Sequence, residues 1–249
     1  LESKKVGNNI QEIKYNYNVR GWMTGINLDA NGNFQSGKLF NYKVNYNDLL
    51  QGMSLPNEDV TTPITPQWNG HIAEVIWKNR DDINVKRYGY VYDKLNRLIA
   101  GLYQSPLNLT SQEHSERLTY DLNGNIITLK RSAYFMGTAA DLIDDLTYNN
   151  YVGNKFTSIT DVTGDSNGYE GGGGTVHYDL NGNMTNMPDK RINSIAYNHL
   201  NLPTYMDIGS MKRKSSISYL YSADGVKLKK SYTSLRPNTN NMFVNVTSI

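Results

Sequence analysis

"VHYDLNGNMTNM", residues 176–187, repeats with few changes a stretch found earlier as "LTYDLNGNIITL", residues 118–129. In each, a run suited to a strand ends at a tyrosine, Tyr178 or Tyr120. Asp-Leu-Asn-Gly follows, and a second such run begins. Asn and Asp side chains bond their own backbone in tight turns, and Gly124 and Gly182 can take the positive φ that a hairpin connection demands. Each stretch is therefore a β-hairpin candidate, with Asp121 and Asp179 read as turn formers.

The same template recurs along the chain. Tyr17-Asn18 leads to Gly21-Trp22, and Tyr92-Asp93 leads to Asn96-Arg97, with Asn in place of the glycine. Asp29 to Phe34 keeps the turn but has Leu28 at the tyrosine position. Tyr148 reaches Gly153-Asn154 through two extra residues, Tyr197-Asn198 reaches Asn201-Leu202, and Tyr221 reaches Asp224-Gly225. Between turns, "IKYNYNV", "YGYVYD", "ISYLYS" and "KLKKSYT" alternate large and polar side chains with a period of two, the spacing of a strand packed on one face. A lone hairpin is marginal in water, whereas hairpins laid edge to edge share a continuous face. The recurring tyrosine rings are expected to stack on one another, each pair contributing about 0.5–1.5 kcal/mol.

Composition narrows the function classes. The 249 residues carry a formal net charge of +2, from 25 basic and 23 acidic side chains. No strong field selects nucleic acid or an anionic membrane as partner. The absence of cysteine excludes disulfides, thiolate zinc sites and cysteine nucleophiles. No apolar run reaches the length of a membrane span, so membrane insertion is not expected. The start at Leu1 is that of an excised piece, soluble as it stands. Nineteen tyrosines beside 21 glycines favour strands and turns over helices. One helix is expected, at "MGTAADLIDDL", residues 136–146, with Thr138 as cap. "LPNEDVTTPITPQWNG", residues 55–70, carries three of the seven prolines and no alternation. It reads as a loop joining sheet segments 10–54 and 71–232 within one region, 1–249, with 233–249 as a truncated tail.

The repeated "YDLNGN", with "YDKLNRL" and "YNHLNLP", resembles the tyrosine-aspartate repeat of the rearrangement-hotspot (Rhs) family. "YNYNVRGWMTGIN", "WNGHIAEVIWK" and "YGYVYDKLNRLIAGLY" are similar to its Bacteroidetes branch, and the resemblance covers residues 10–232. It implies an all-β fold of antiparallel hairpins in a long curved or spiralling sheet, one part of a hollow shell. It further implies secretion or display at the cell surface, and two partners: the rest of the parent chain and a C-terminal toxin or effector as enclosed cargo. The repeat residues Tyr17, Gly21, Tyr92, Asp93, Tyr120, Asp121, Gly124, Tyr178, Asp179, Gly182, Tyr197, Tyr221 and Gly225 would be structural. Many toxin-bearing members end their core at an aspartate-proline motif where the chain cuts itself. No Asp-Pro pair occurs in this sequence, so self-cleavage does not carry over.

Independent of that resemblance, no catalytic set emerges and no cofactor is implied. His71, His114, His177 and His199 stand singly, without the spacing of a metal pair. Gly171 to Gly174 lacks the Gly-Lys-Ser/Thr of a phosphate loop and reads as a flexible turn. Asp144-Asp145 and Glu58-Asp59 read as solvated surface. Asp93, Asp121 and Asp179 lack the nonapeptide glycine spacing of calcium β-rolls. Two functions stay open. One is a non-catalytic wall segment. The other is a cell-surface carbohydrate-binding or adhesion module, with Trp22, Trp68 and Trp77 as candidate sugar-stacking residues on glycans.

Overall fold

The computed structural model describes residues 2–50, 64–82, 84–105, 113–134, 140–210, 213–235 and 244–246. Most of the proline-bearing loop, through residue 63, lies outside these. The described chain is all-β and antiparallel. An eleven-stranded sheet takes its strands in chain order: β1 (Ser3–Val6), β2 (Gln11–Tyr17), β3 (Met23–Ile26), β4 (Phe40–Asn45), β5 (Glu74–Asn79), β6 (Lys86–Tyr92), β7 (Leu98–Gln104), β8 (Glu116–Tyr120), β9 (Ile126–Tyr134), β10 (Ala140–Asn149) and β11 (Ser158–Asp161). A five-stranded sheet follows in the same manner: β12 (Ile192–Tyr197), β13 (Pro203–Ser210), β14 (Arg213–Tyr221), β15 (Lys227–Leu235) and β16 (Val244–Val246). A single 3₁₀ turn, Pro188–Lys190, precedes β12. Each strand hydrogen-bonds to its predecessor, so no crossover occurs in either sheet.

The chain divides into two compact units, Leu1–Thr119 with Leu129–Ile143, and Tyr120–Thr128 with Asp144–Ile249. In the first, register assigns the two faces of the sheet. Asn45 sits opposite Glu74, Glu74 opposite Gly89, Gly89 opposite Leu102, and Val91 opposite Ala100. This face is the dry one: Val91, Ala100 and Leu102 are each 1% exposed, with Ile64 and Ile99 packed against them. Gly89 makes room for Ile64, whose side chain occupies the space a Cβ would need. The opposite face bears Tyr42, Trp77, Tyr88, Tyr90 and Tyr103, half-buried or better. Burial raises the phenol pKa of Tyr42, Tyr90 and Tyr103, and that of Tyr88 furthest.

The dry face also encloses charge. Glu74 is fully buried. Its Oε1 accepts from Asn45 Nδ2 at 2.7 Å and from the Leu50 amide at 2.6 Å. Its Oε2 pairs with the Arg87 guanidinium, which is 3% exposed and donates to Gln104 Oε1 at 3.2 Å. One polar chain thus ties β4, β5, β6 and β7. Buried ion pairs add little net stability against an apolar replacement, but they penalise misalignment. A one-residue slip of β5 would turn Glu74 to the aromatic face and strand Arg87 without its carboxylate.

In the second unit, Leu146 is 2%, Ile159 3% and Val176 4% exposed. Among the described side chains of β12–β15, none is buried. The helix expected over 136–146 is not formed in its described part: residues from Ala140 onward belong to β10, and Leu146, Thr147 and Tyr148 pair with β11. Local propensity for a helix there is weak, and pairing within the sheet, between β9 and β11, outweighs it. Asp144, read as solvated surface, is fully buried, and its Oδ1 accepts from the Tyr169 amide. The glycine run is pinned. Gly173 N donates to Ile159 O at 2.7 Å and Gly174 N to Asp189 Oδ1 at 2.9 Å, and a Cβ on Gly171 would lie 2.9 Å from the Asp189 Cα. These glycines admit Asp189 to the loop. Past residue 232, β15 continues to Leu235 and β16 pairs with it.

Removing one partner of a buried pair leaves a charge that neither water nor protein solvates. Glu74→Ala is therefore expected to lower unfolding free energy in urea by about 3–5 kcal/mol. A loss below about 1 kcal/mol would show that the pair does not secure the register.

Candidate functional site

The recurring feature is a loop of one geometry, formed seven times among the described residues, beginning at Asn18, Asp29, Asp93, Asp121, Asp179, Asn198 and Ser222. In each, the first residue's amide donates to the carbonyl of the residue four on, and the fourth residue's amide donates back to the first carbonyl. The fourth residue has positive φ, from 58° at Asn201 to 85° at Gly124 and Gly182. This is a three-residue connection in which a type I turn is followed by a left-handed residue. Such a turn leaves inner amides without a backbone partner, and the first side chain accepts them. Asp121 Oδ1 takes the Asn123 amide at 2.9 Å and the Asn125 amide at 2.8 Å, while its Oδ2 takes Asn125 Nδ2 at 2.7 Å. Asp179 repeats this with Asn181 and Asn183 at 3.0, 2.8 and 2.9 Å. Asp93 accepts from Leu95 and Arg97 amides and from Arg97 Nε at 2.7 Å.

Asn18 and Asn198 do the same work without charge, each accepting two loop amides at 2.9 and 3.0 Å. In the Tyr221 copy the acceptor is the Ser222 hydroxyl, which takes the Val226 amide at 3.0 Å; Asp224, read from the sequence as part of that motif, is exposed. The charged acceptors titrate low. The side-chain bond from Asn125 and the loop amides hold Asp121 below the ordinary 3.8, and Asn183 does so for Asp179. For Asp93, partial desolvation opposes the shift and the bonds from Arg97 and Leu95 outweigh it.

In four copies the tyrosine preceding the loop donates to a backbone carbonyl earlier in the chain. Tyr178 OH donates to Phe156 O at 2.9 Å, Tyr197 OH to Met184 O at 2.7 Å, Tyr221 OH to Pro203 O at 3.0 Å and Tyr92 OH to Ile72 O at 2.8 Å. Met184 and Pro203 directly follow the loops that Asp179 and Asn198 open. The link between repeats is thus a hydroxyl on a carbonyl, in place of the ring-on-ring stacking expected from the sequence. Tyrosine–tyrosine ring pairs among the described residues join neighbours on one strand, Tyr88–Tyr90 at 5.3 Å and Tyr219–Tyr221 at 6.2 Å. Side chains join adjacent loops as well: Asn183 Nδ2 and Asn181 Nδ2 donate to Asn201 Oδ1 at 2.8 and 3.1 Å.

Two members were missed in the sequence. Tyr46 OH donates to Met23 O at 3.1 Å, just after the Asn18 loop, and Tyr151 OH to Ile126 O at 2.7 Å, just after the Asp121 loop. Tyr46-Asn47 carries the tyrosine-asparagine signal of other copies. Tyr151, two residues before Gly153, takes the role assigned to Tyr148, which lies within β10 and meets the Phe156 ring edge-on at 5.4 Å. Tyr17, the first copy, is 45% exposed, and Tyr120 ends β8.

The remaining candidates scatter. Trp22 packs on Tyr46 at 5.2 Å, with the Arg20 guanidinium 5.1 Å above its ring, and Trp77 packs on Tyr103 at 6.0 Å. Trp68 alone of the three is largely exposed, at 70%. His71 and His114 contact the rings of Tyr92 and Tyr103. Among the described residues no group of three or more His, Asp or Glu side chains could hold a metal ion. No described helix is long and apolar enough to cross a membrane.

No protein-family model matches the chain, and no curated protein matches it. Among solved structures, a porin-like protein from Bacteroides uniformis ATCC 8492 is similar over 98% of this chain and 91% of its own, at 14% identity and a TM-score of 0.28. A likeness of that degree transfers neither fold nor role.

Valine resists positive φ, so Gly124→Val or Gly182→Val is expected to cost about 1–3 kcal/mol, read from thermal or urea melts. Tyr197→Phe deletes one link and is expected to cost about 0.5–1.5 kcal/mol. The pH dependence has a definite sign. A carboxylate whose folded pKa is depressed contributes stability above its unfolded value near 3.9, and that contribution is lost as pH falls through the folded value. The melting temperature should therefore drop below about pH 4. Asp121→Asn with Asp179→Asn, the acceptor already used at Asn18 and Asn198, should flatten that drop.

Proposed function

We propose that the chain is a non-catalytic wall segment of an Rhs-type shell, secreted or displayed at the cell surface, whose parent chain encloses a C-terminal toxin or effector. The observation that carries this reading is the tyrosine hydroxyl on the carbonyl that follows the preceding loop. A turn that closes itself with one side chain, and a strand end that fastens to the turn before it, make a unit that adds to a sheet at any length. Each unit contacts its neighbours and needs no distant partner, the logic of repeat architectures. The carboxylates of the motif support the non-catalytic part. A general acid or base needs a pKa near the working pH, whereas Asp93, Asp121 and Asp179 are held low by bonds to their own loops.

Limited proteolysis of the parent protein, with its downstream domain in place, tests the reading. The downstream domain should resist cleavage while the wall is folded, and should become as sensitive as the same domain expressed alone once mild denaturant or the Gly124→Val and Gly182→Val pair loosens the wall. Equal cleavage rates in the intact parent and in the isolated domain would overturn enclosure.

A further inference from the structure

The dipeptide Asn-Gly occurs five times, beginning at Asn31, Asn69, Asn123, Asn167 and Asn181. Such pairs carry a reactivity of their own, because glycine leaves its amide nitrogen sterically open to the side-chain carbon of the asparagine before it. Four of the five are guarded. Gly32 N donates to Asp29 O at 3.1 Å, Gly124 N to Asp121 O at 3.2 Å, Gly168 N to Asp165 O at 3.1 Å and Gly182 N to Asp179 O at 3.0 Å. A nitrogen so engaged must give up that bond before it can lose its proton and attack. Gly70 is the exception, since its amide donates to no acceptor among the described residues. Asn69 is also posed for attack. Its Oδ1 accepts from the His71 amide at 3.0 Å, which folds the side chain back over the Gly70 peptide, and its Nδ2 donates to Asn96 Oδ1 at 3.0 Å. No bond of the first kind forms at the other four asparagines among the described residues. Asn69 is exposed, so water and hydroxide reach it. Gly70 has φ of 94°, and a Cβ on it would lie 3.0 Å from the Trp22 ring, so backbone and packing both hold glycine at this position.

We propose that Asn69 is a modification site, at which the folded chain deamidates spontaneously to aspartate and isoaspartate. The Gly70 nitrogen gives its proton to hydroxide and adds to Asn69 Cγ, forming a new N–C bond. Negative charge passes to Oδ1, where the His71 amide already donates in the manner of an oxyanion hole. The Cγ–Nδ2 bond then breaks, and Nδ2 takes a proton from water and leaves as ammonia, restoring the hydroxide and leaving a succinimide ring. Water adds to either carbonyl of that ring. Opening on one side gives aspartate at position 69; opening on the other gives isoaspartate, whose backbone runs through the former side chain and is longer by one methylene. The sum is water gained and ammonia lost, with no oxidant or reductant. The consequence is local. Asn96 Oδ1, on the Asp93 loop, loses the donor it had at Asn69 and meets a carboxylate instead, so the segment ahead of β5 is released from that loop. The inference does not depend on the wall reading.

Peptide mapping by mass spectrometry of the full chain, aged at mildly alkaline pH and sampled over time, tests this, with an isoaspartate-specific methyltransferase as the second readout. Asn69 should deamidate about ten-fold faster than Asn31, Asn123, Asn167 or Asn181, the factor reflecting the amide bond that each of those must first give up. In urea, once the chain is unfolded, the same dipeptide stands in five similar surroundings, and the rates should converge to within about three-fold. Asn69→Gln, whose longer side chain closes a ring far more slowly, should remove most of the methyltransferase signal from the folded chain. Should that variant fail to fold, the comparison of folded and unfolded parent decides. A rate at Asn69 equal to that at any guarded site in the folded chain overturns the proposal. So does a lead of Asn69 that persists undiminished in urea, because sequence rather than structure would then set it.

Discussion

A chain that reverses within three residues turns amide hydrogens inward, where the ladder on either side cannot reach them. The rest of this structure depends on satisfying them with a single side chain at the loop's first position. Asp121 and Asp179 take two backbone amides and an asparagine side chain each. Once closed in this way, the loop needs no outside support, and it sets the register of the strands that leave it. The positive φ at the fourth residue completes the reversal, at glycine in most copies and at asparagine in two, Asn96 and Asn201.

The tyrosine hydroxyl then converts a local device into a cumulative one. A hairpin with a closed loop is still marginal alone, and Tyr178, Tyr197 and Tyr221 each bond to the chain just after an earlier turn. The two sheets differ in what is added to this scheme. In the first unit the sheet gains a dry face sealed by Ile64 and indexed by the Glu74–Arg87 pair. In β12–β15 no described side chain is buried, and strand pairing, tyrosine links and the asparagine bridges between loops carry the order. Repetition suffices to build the ladder there, whereas the first unit also uses a specific buried charge to align it.

The repeat is broken beside Asn16, where Leu28 replaces the tyrosine of the motif and packs into the space that a Cβ on Gly25 would take.

The turns were legible in the sequence because their chemistry is local: Asp121 bonds to Asn123 and Asn125, two and four residues away, and Gly124 supplies its own φ. The strand class followed from the period-two runs that end at Tyr92 and Tyr221, since alternation is a property of neighbouring residues. What lay between distant residues was not legible. Asp144 looked like surface because its partner, the Tyr169 amide, is 25 residues away, and residues 140–146 looked helical because the sheet neighbours of β10, the strands β9 and β11, lie outside that window. Glu74, one carboxylate among many in the sequence, became the buried key of four strands only when pairing set it beside Asn45 and two residues from Arg87's row. Sequence by itself determined the turns and the β class through bonds spanning a few residues. Tertiary structure alone decided which face is dry, which charge is buried and which tyrosine reaches which carbonyl, because those depend on strand register, and register is a relation between segments far apart in the chain.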